Sequence, residues 1–117
     1  MDTVFIEGLT VETVIGVYDW ERNVRQTLSV DLEMGFDVAN AMASDNLKDT
    51  LNYAEVANDI QQLAGNHQCL LLEAFVGILL DQLIQKYHLP WVRIKVRKLG
   101  AVANAASVGL VVERGSR

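Results

Sequence analysis

Between Gln26 and Asp37 the chain alternates strictly. Leu28, Val30, Leu32, Met34 and Phe36 fall between Thr27, Ser29, Asp31, Glu33 and Gly35. A period of two over this length dictates a half-buried strand with one apolar and one polar face. The chain is thereby committed to a sheet that is covered on one side and wet on the other. Trp91 to Lys98 repeats the pattern, with Val92, Ile94 and Val96 on one face and Arg93, Lys95 and Arg97 on the other. Thr3–Leu9 and then Thr13–Val17 read as an earlier strand, interrupted or bent near Gly8. Tyr18 to Arg25 is the polar loop that joins it to the next. Ser107 to Arg114 reads as the last strand, with Val108, Leu110 and Val112 on one parity and Val111 on the other.

The middle of the chain changes period. Ala39 to Thr50 reads as a connection, turned by Ser44-Asp45-Asn46. Asn52 has the chemistry of a helix cap, with Glu55 three residues on. Val56, Ile60 and Leu63 then recur at helical spacing until Gly65-Asn66 stops the helix. A second helix runs from about Leu70 to Tyr87, apolar nearly all round in its first half, and Pro90 prevents its continuation. The order is ββααββ: an α+β fold with a four-stranded antiparallel sheet and two helices on one face. Apolar residues on both parities of the last strand imply that another subunit covers part of the opposite face or edge.

At 117 residues, half of them apolar and 21% charged, the chain is expected to form a single domain over 1–117 with a real core. A domain this small buries only about two-thirds of its unfolded surface, so self-association would help it. The net charge of −5 disfavours a general binder of nucleic acid or anionic membranes. The charge is uneven: residues 1–59 carry 12 acidic and 3 basic side chains, and residues 60–117 carry 3 and 7. One sheet can hold both halves as complementary patches, with Arg93, Lys95 and Arg97 facing Asp31 and Glu33 within or between subunits. Cys69 is the single cysteine, which fits a reducing compartment. Asp2 and Glu7 sit where a secretory signal would be apolar, and the stretch Cys69–Leu80 contains Glu73 and is too short to span a bilayer. The expectation is a soluble cytoplasmic protein with no membrane association.

Four places in the chain carry chemistry. Lys98 follows Val92, Ile94 and Val96 by strand parity, not the basic face. Desolvation there would make it an acid or base usable near neutrality. If the strand has already ended, the same lysine snorkels to solvent; pattern alone favours that reading. Glu73 is the only charged residue between Asp59 and Asp81. In the first turn of a helix it gains from the dipole. Burial among leucines would require a pair of donors, which an arginine or the amino-amide edge of a guanine or pterin supplies. An internal salt bridge or an exposed first-turn glutamate is the simpler reading. Tyr53 opens the first helix, where it could stack on a flat ligand and relay a proton, although a hydrophobic contact beside a cap is the commoner role. Tyr18-Asp19-Trp20-Glu21 mixes rings and carboxylates in a loop. His67 and His88 are too few and too far apart for a convincing metal site, and no phosphate-binding glycine loop is present. Cys69 reads as inert core beside a leucine run.

Taken together, these residues resemble the dihydroneopterin aldolases of folate biosynthesis, the bacterial enzymes most closely. The resemblance covers essentially the whole chain. It rests on Gly16-Val17-Tyr18-Asp19-Trp20-Glu21, Leu51-Asn52-Tyr53, Leu71-Leu72-Glu73, Trp91-Val92-Arg93-Ile94-Lys95, Lys98 with Gly100-Ala101-Val102, and Val108-Gly109 running into Glu113-Arg114. Each piece is loose alone, and their order and spacing are specific together. The resemblance implies a tunnelling fold whose subunits join sheets into a ring, two tetrameric rings stacking into a homo-octamer with active sites between neighbours. It implies retro-aldol cleavage of 7,8-dihydroneopterin, with 2′-epimerisation beside it, and no cofactor or metal. Lys98 becomes the main acid/base. Tyr53 reaches in from a neighbouring subunit to stack on the pterin and protonate the intermediate. Glu21 positions the substrate side chain or a water. Glu73 grips the 2-amino and N3–H edge, with Leu72 and Leu51 adding backbone contacts. Family members commonly have proline after the catalytic lysine, and here Leu99 stands there. A dihydroneopterin triphosphate 2′-epimerase is the nearest alternative, although the acidic loop Asp19-Trp20-Glu21 argues against a triphosphate. A non-catalytic pterin-binding module and a basic-strand nucleic-acid binder are the others.

Overall fold

The long alternating segments settle first into one sheet. A computed structural model describes residues Met1–Arg117. Its strands are β1 (Asp2–Thr13), β2 (Gln26–Phe36), β3 (Trp91–Leu99) and β4 (Ser107–Gly115), hydrogen-bonded in the order β1-β2-β3-β4 with every pair antiparallel. Between β2 and β3 come α1 (Ala39–Ser44), α2 (Tyr53–Asn66) and α3 (Leu72–Tyr87). Short 3₁₀ turns occupy Asp19–Asn23 and Leu47–Asp49. The expected ββααββ order therefore holds, with one addition. The connection Ala39–Thr50 contains the short helix α1, which has no side-chain cap and no buried residue and so leaves no periodic trace in the sequence.

The two strand segments expected around Gly8 are a single strand with a bulge. Ile6 pairs with Leu32 and Leu9 with Val30, so Glu7 and Gly8 together oppose Asp31. Gly8 takes φ +65°, and its N–H donates to Asp31 Oδ1 at 2.7 Å. The bulge changes which parity faces the core, from Val4 and Ile6 to Leu9, Val11 and Thr13. The strand ends at Thr13; Val14 to Val17, expected as strand, are not.

Helices α2 and α3 bury their apolar stripes on the same face of the sheet. Val56, Ile60 and Ala64 from α2, and Phe75, Val76, Leu79, Leu80 and Leu83 from α3, meet Leu28, Val30, Leu32, Met34, Val92, Ile94 and Val96. Asn52 caps α2 as expected, its Oδ1 accepting from the N–H groups of Ala54 at 3.1 Å and Glu55 at 3.3 Å. Glu55 completes no capping box with Asn52; its carboxylate lies 3.1 Å from Lys86 on α3. α3 begins at Leu72, two residues later than its pattern implied. It ends where His88 takes φ +54° and Leu89 N–H donates to Ile84 O at 3.3 Å.

The opposite face is charged and half-exposed. Arg97 donates to Asp31 Oδ2 at 2.6 Å, and Arg93 lies 3.9 Å from Glu33. The complementary patches inferred from the charge asymmetry thus meet within one chain. Val111 on β4 and Phe5 on β1 remain exposed, and no helix is long and apolar enough to cross a membrane.

Candidate active site

Lys98 is reached by register. It pairs with Leu28 of β2 and Val108 of β4, and β3 continues one residue beyond it to Leu99. Its side chain therefore rises from the apolar face and does not snorkel from a finished strand. The usual proline after this lysine is not needed to place it, because β-pairing on both sides already does. Gly100 then turns the chain at φ +70°.

The carboxylate that meets Lys98 comes from a distant part of the sequence. Tyr18–Arg25, expected as an open loop, contains the 3₁₀ turn Asp19–Asn23, which leaves Tyr18, Asp19 and Trp20 in solvent and turns Glu21 inward. Lys98 Nζ donates to Glu21 Oε2 at 2.6 Å, with the two side chains 15% and 6% exposed. Glu21 Oε1 accepts from the Tyr18 N–H at 3.3 Å, and Oε2 also accepts from Gln26 Nε2 at 3.3 Å. The hydrogen bond from Lys98 is the largest influence on Glu21. Backed by Tyr18 and Gln26, it holds the carboxyl below its ordinary range against the opposing effect of burial.

Gly16 is the seat of this pair. It has φ +121°, and a Cβ built on it would lie 2.3 Å from the Glu21 carboxyl carbon. Neither an L side chain's conformation nor its volume is tolerated there. The pair opens into a cavity of about 400 Å³, walled by the backbone around Gly16, by Leu70, Leu71 and Leu72, and by Leu99 to Ala101. The rim is apolar: Trp20 is 62% exposed, and Leu70 and Leu71 are 50% exposed each. A slot with an apolar mouth and an ion pair at its base suits a flat heteroaromatic ligand with proton-transfer chemistry at one end.

Of the other expected site residues, Leu72 joins this pocket and Leu51, Tyr53 and Glu73 do not. Tyr53, 62% exposed, stands with Leu51 in a separate hollow beside Asn46, Leu47 and Thr50, which shares no residue with the Lys98 pocket. Leu72 lines the Lys98 pocket. Glu73 is exposed at the first turn of α3 and is not buried among leucines; of the run before it, Leu70 and Leu71 are pocket rim and only Leu72 packs against the core. Gln26 was missed as a contributor. Its signal was available, since it shares the parity of Leu28 and Val30 and so places an amide on the core face.

The family model FolB, dihydroneopterin aldolase, matches residues 4–113. The dihydroneopterin aldolase of Escherichia coli K12 is 44% identical over 116 residues, covering 99% of this chain and 95% of that one. That of Haemophilus influenzae is 44% identical over 115 residues, covering 98% of each. The crystal structure of the E. coli enzyme in complex with neopterin superimposes with a TM-score of 0.94 at 44% identity, covering 98% of this chain and all of the other. With its fold, its full-length similarity and its matching family model, the chain belongs to the dihydroneopterin aldolase family of folate-biosynthesis lyases.

Proposed function

We propose that the Glu21–Lys98 pair performs the proton transfers of a retro-aldol cleavage that turns 7,8-dihydroneopterin into 6-hydroxymethyl-7,8-dihydropterin and glycolaldehyde. The observation that carries this reading is the 2.6 Å contact between two nearly buried, oppositely charged groups at the base of a cavity of about 400 Å³. Perturbed charges in a cleft are a mark of proton-transfer sites. In the reaction the C1′–C2′ bond breaks. The 2′-hydroxyl loses its proton as glycolaldehyde forms, and the electron pair flows into the ring's own C=N5 bond. The resulting enol is protonated at C1′ to give the hydroxymethyl product. The pterin is its own electron sink, so the reaction asks the protein only for positioned proton donors and acceptors.

Lys98 handles the side-chain hydroxyl and N5 through a positioned water, and Glu21 fixes that water or the substrate side chain. Tyr53 and Leu51 lie in a different hollow, so a complete site draws them from a neighbouring subunit. Tyr53 stacks on the ring and protonates the enol. Glu73 grips the 2-amino and N3–H edge, with Leu72 supplying a backbone contact. The E. coli relative's neopterin complex supports a pterin as the ligand class. Reversal of the same bond cleavage after rotation of the aldehyde gives 2′-epimerisation to 7,8-dihydromonapterin.

The assembly follows from the same separation of half-sites. β1 and β4 each leave one edge unpaired, and the molecule is elongated at 51 × 26 × 21 Å. Edge-to-edge joining into tetrameric rings, and stacking of two rings into an octamer, would cover Val111 and unite the hollows. We read residues 1–117 as a single domain of this kind, acting in the cytoplasm.

A product assay tests the reading. Purified protein is incubated anaerobically with 7,8-dihydroneopterin, and pterins and glycolaldehyde are followed by chromatography. Equal release of both cleavage products supports it. Formation of the 2′-epimer alone moves the assignment to an epimerase, and no conversion of the free substrate directs attention to its triphosphate.

A further inference from the structure

Arg22 sits one residue beyond Glu21, yet it makes no salt bridge and does not line the cavity. Its guanidinium instead donates to two backbone carbonyls from different walls of the pocket: Gly16 O at 3.2 Å and Cys69 O at 3.1 Å. The same two walls are tied again by the Gly16 N–H, which donates to Leu70 O at 2.8 Å. The Cys69 N–H donates to His67 Nδ1 at 2.9 Å. Because Nδ1 accepts, the ring proton lies on Nε2, which donates to Thr13 Oγ1, a buried group at the end of β1. The His67 ring packs on Phe75 of α3 with centroids 4.9 Å apart. Cys69 is thus held at both its N–H and its C=O, by His67 on one side and Arg22 on the other.

This matters because residues 67–71 belong to no helix or strand. Nothing in regular structure fixes where Leu70 and Leu71 stand relative to Gly16 and Glu21. A charged donor to a partly buried carbonyl is worth more than a neutral one, and Arg22 applies two such bonds across the slot's width. Glu21 does not depend on it, being held separately by Lys98, Tyr18 and Gln26.

We infer that Arg22, together with His67, is a positioning residue that sets the width of the pterin slot by bracing the 67–72 wall against Gly16. The inference rests on the proposed substrate class, and it predicts an effect on substrate binding and not on the proton-transfer step. Arg22→Met should raise KM for 7,8-dihydroneopterin by about tenfold, less than two charge-assisted hydrogen bonds are worth outright, because the wall is loosened and no contact to substrate is removed. It should leave kcat within about threefold. Arg22→Lys, which keeps a charged donor nitrogen on a shorter, unforked side chain, should recover part of the loss. Amide hydrogen exchange at Gly16, Cys69 and Leu70 should quicken in Arg22→Met with the α2–α3 core still protected. That last reading needs no substrate. Were the wild type unable to cleave dihydroneopterin, the functional reading would fail while faster exchange at the brace would still show the brace. Unchanged exchange and KM in Arg22→Met, or a fall in kcat larger than the rise in KM, would overturn the positioning role. So would an Arg22→Lys protein no better than Arg22→Met.

Discussion

Two lysine–carboxylate clusters in this chain have nearly the same geometry and opposite surroundings. Lys98 meets Glu21 at 2.6 Å within a pocket. Lys86 meets Asp59 at 2.9 Å and Glu55 at 3.1 Å across the outer faces of α2 and α3, and Tyr87 donates to the same Asp59 at 2.5 Å. The outer lysine side chain is 48% exposed, so water and salt screen its contacts and they hold little of the fold. The inner pair has lost most of its hydration, a cost that Coulomb attraction recovers only when geometry is good and the remaining lone pairs are used. Here Tyr18 and Gln26 use them. The contact distances do not distinguish the two clusters; what surrounds them does.

Removing each lysine sharpens the contrast most. Lys98→Ala should cut turnover by roughly 10²–10⁴, the range for losing a general acid/base, with pterin binding retained by fluorescence titration. Turnover within tenfold of wild type would sink its catalytic role. Gly16→Ala attacks the inner pair from beneath. The new methyl must displace the Glu21 carboxylate and adopt a strained backbone, so turnover should fall by about tenfold or more. Stability in urea should also drop by roughly 1–3 kcal/mol; an unchanged protein would show that the seat is not tight.

Titration separates the two clusters by the side on which each fails. Burial, with Arg22 nearby, lowers the His67 pKa from 6.5. The unfolded chain then takes up that proton first, and stability declines as pH drops below about 6.5. Glu21 and Asp31 are held below their ordinary 4.5 and 3.8, Glu21 chiefly by Lys98 and Asp31 chiefly by the Gly8 N–H. Their contributions are present above those values and are lost as pH falls through the lowered ones. The outer cluster fails on the alkaline side. Burial and then Asp59 push Tyr87 to about 12, and its stabilising effect declines as pH rises above 10 toward that value. A series of Tm values from pH 3 to 11 should show these two limbs, and His67→Asn should remove the first step of the acid one. Smallest of all, Lys86→Met should shift Tm by less than about 4 °C at neutral pH and leave turnover unchanged. A larger shift would mean that the outer cluster is more than a solvated bridge.

Strand chemistry made much of this legible. Alternation put Arg93, Lys95 and Arg97 opposite the acidic residues of β2 and gave Lys98 the inner parity, although pattern alone favoured a finished strand with that lysine snorkelling to solvent. Asn52 announced its cap. Three things were not legible without the family resemblance or the structure. Glu21 and Lys98 lie 77 residues apart, and no local pattern pairs a loop carboxylate with a strand lysine. Leu70 and Leu71 look like core by composition, but they precede α3 and line a slot, so no leucine shell buries Glu73, which is exposed as its simpler reading had it. Arg22 looked like loop charge because its partners are backbone carbonyls, which every residue type provides.

The bulge at Gly8 has a consequence for how β1 tolerates change. The strand is written in two reading frames, one ending at Ile6 and the other starting at Leu9. Deleting Gly8 would restore a regular ribbon and leave Leu9, Val11 and Thr13 on the core face, because alternation would then run unbroken from Ile6. Thr13 would still face His67, but Asp31 would lose the Gly8 N–H and keep only Arg97. An apparent flaw in the first strand thus serves the charged face of the sheet, while the core face would read through without it.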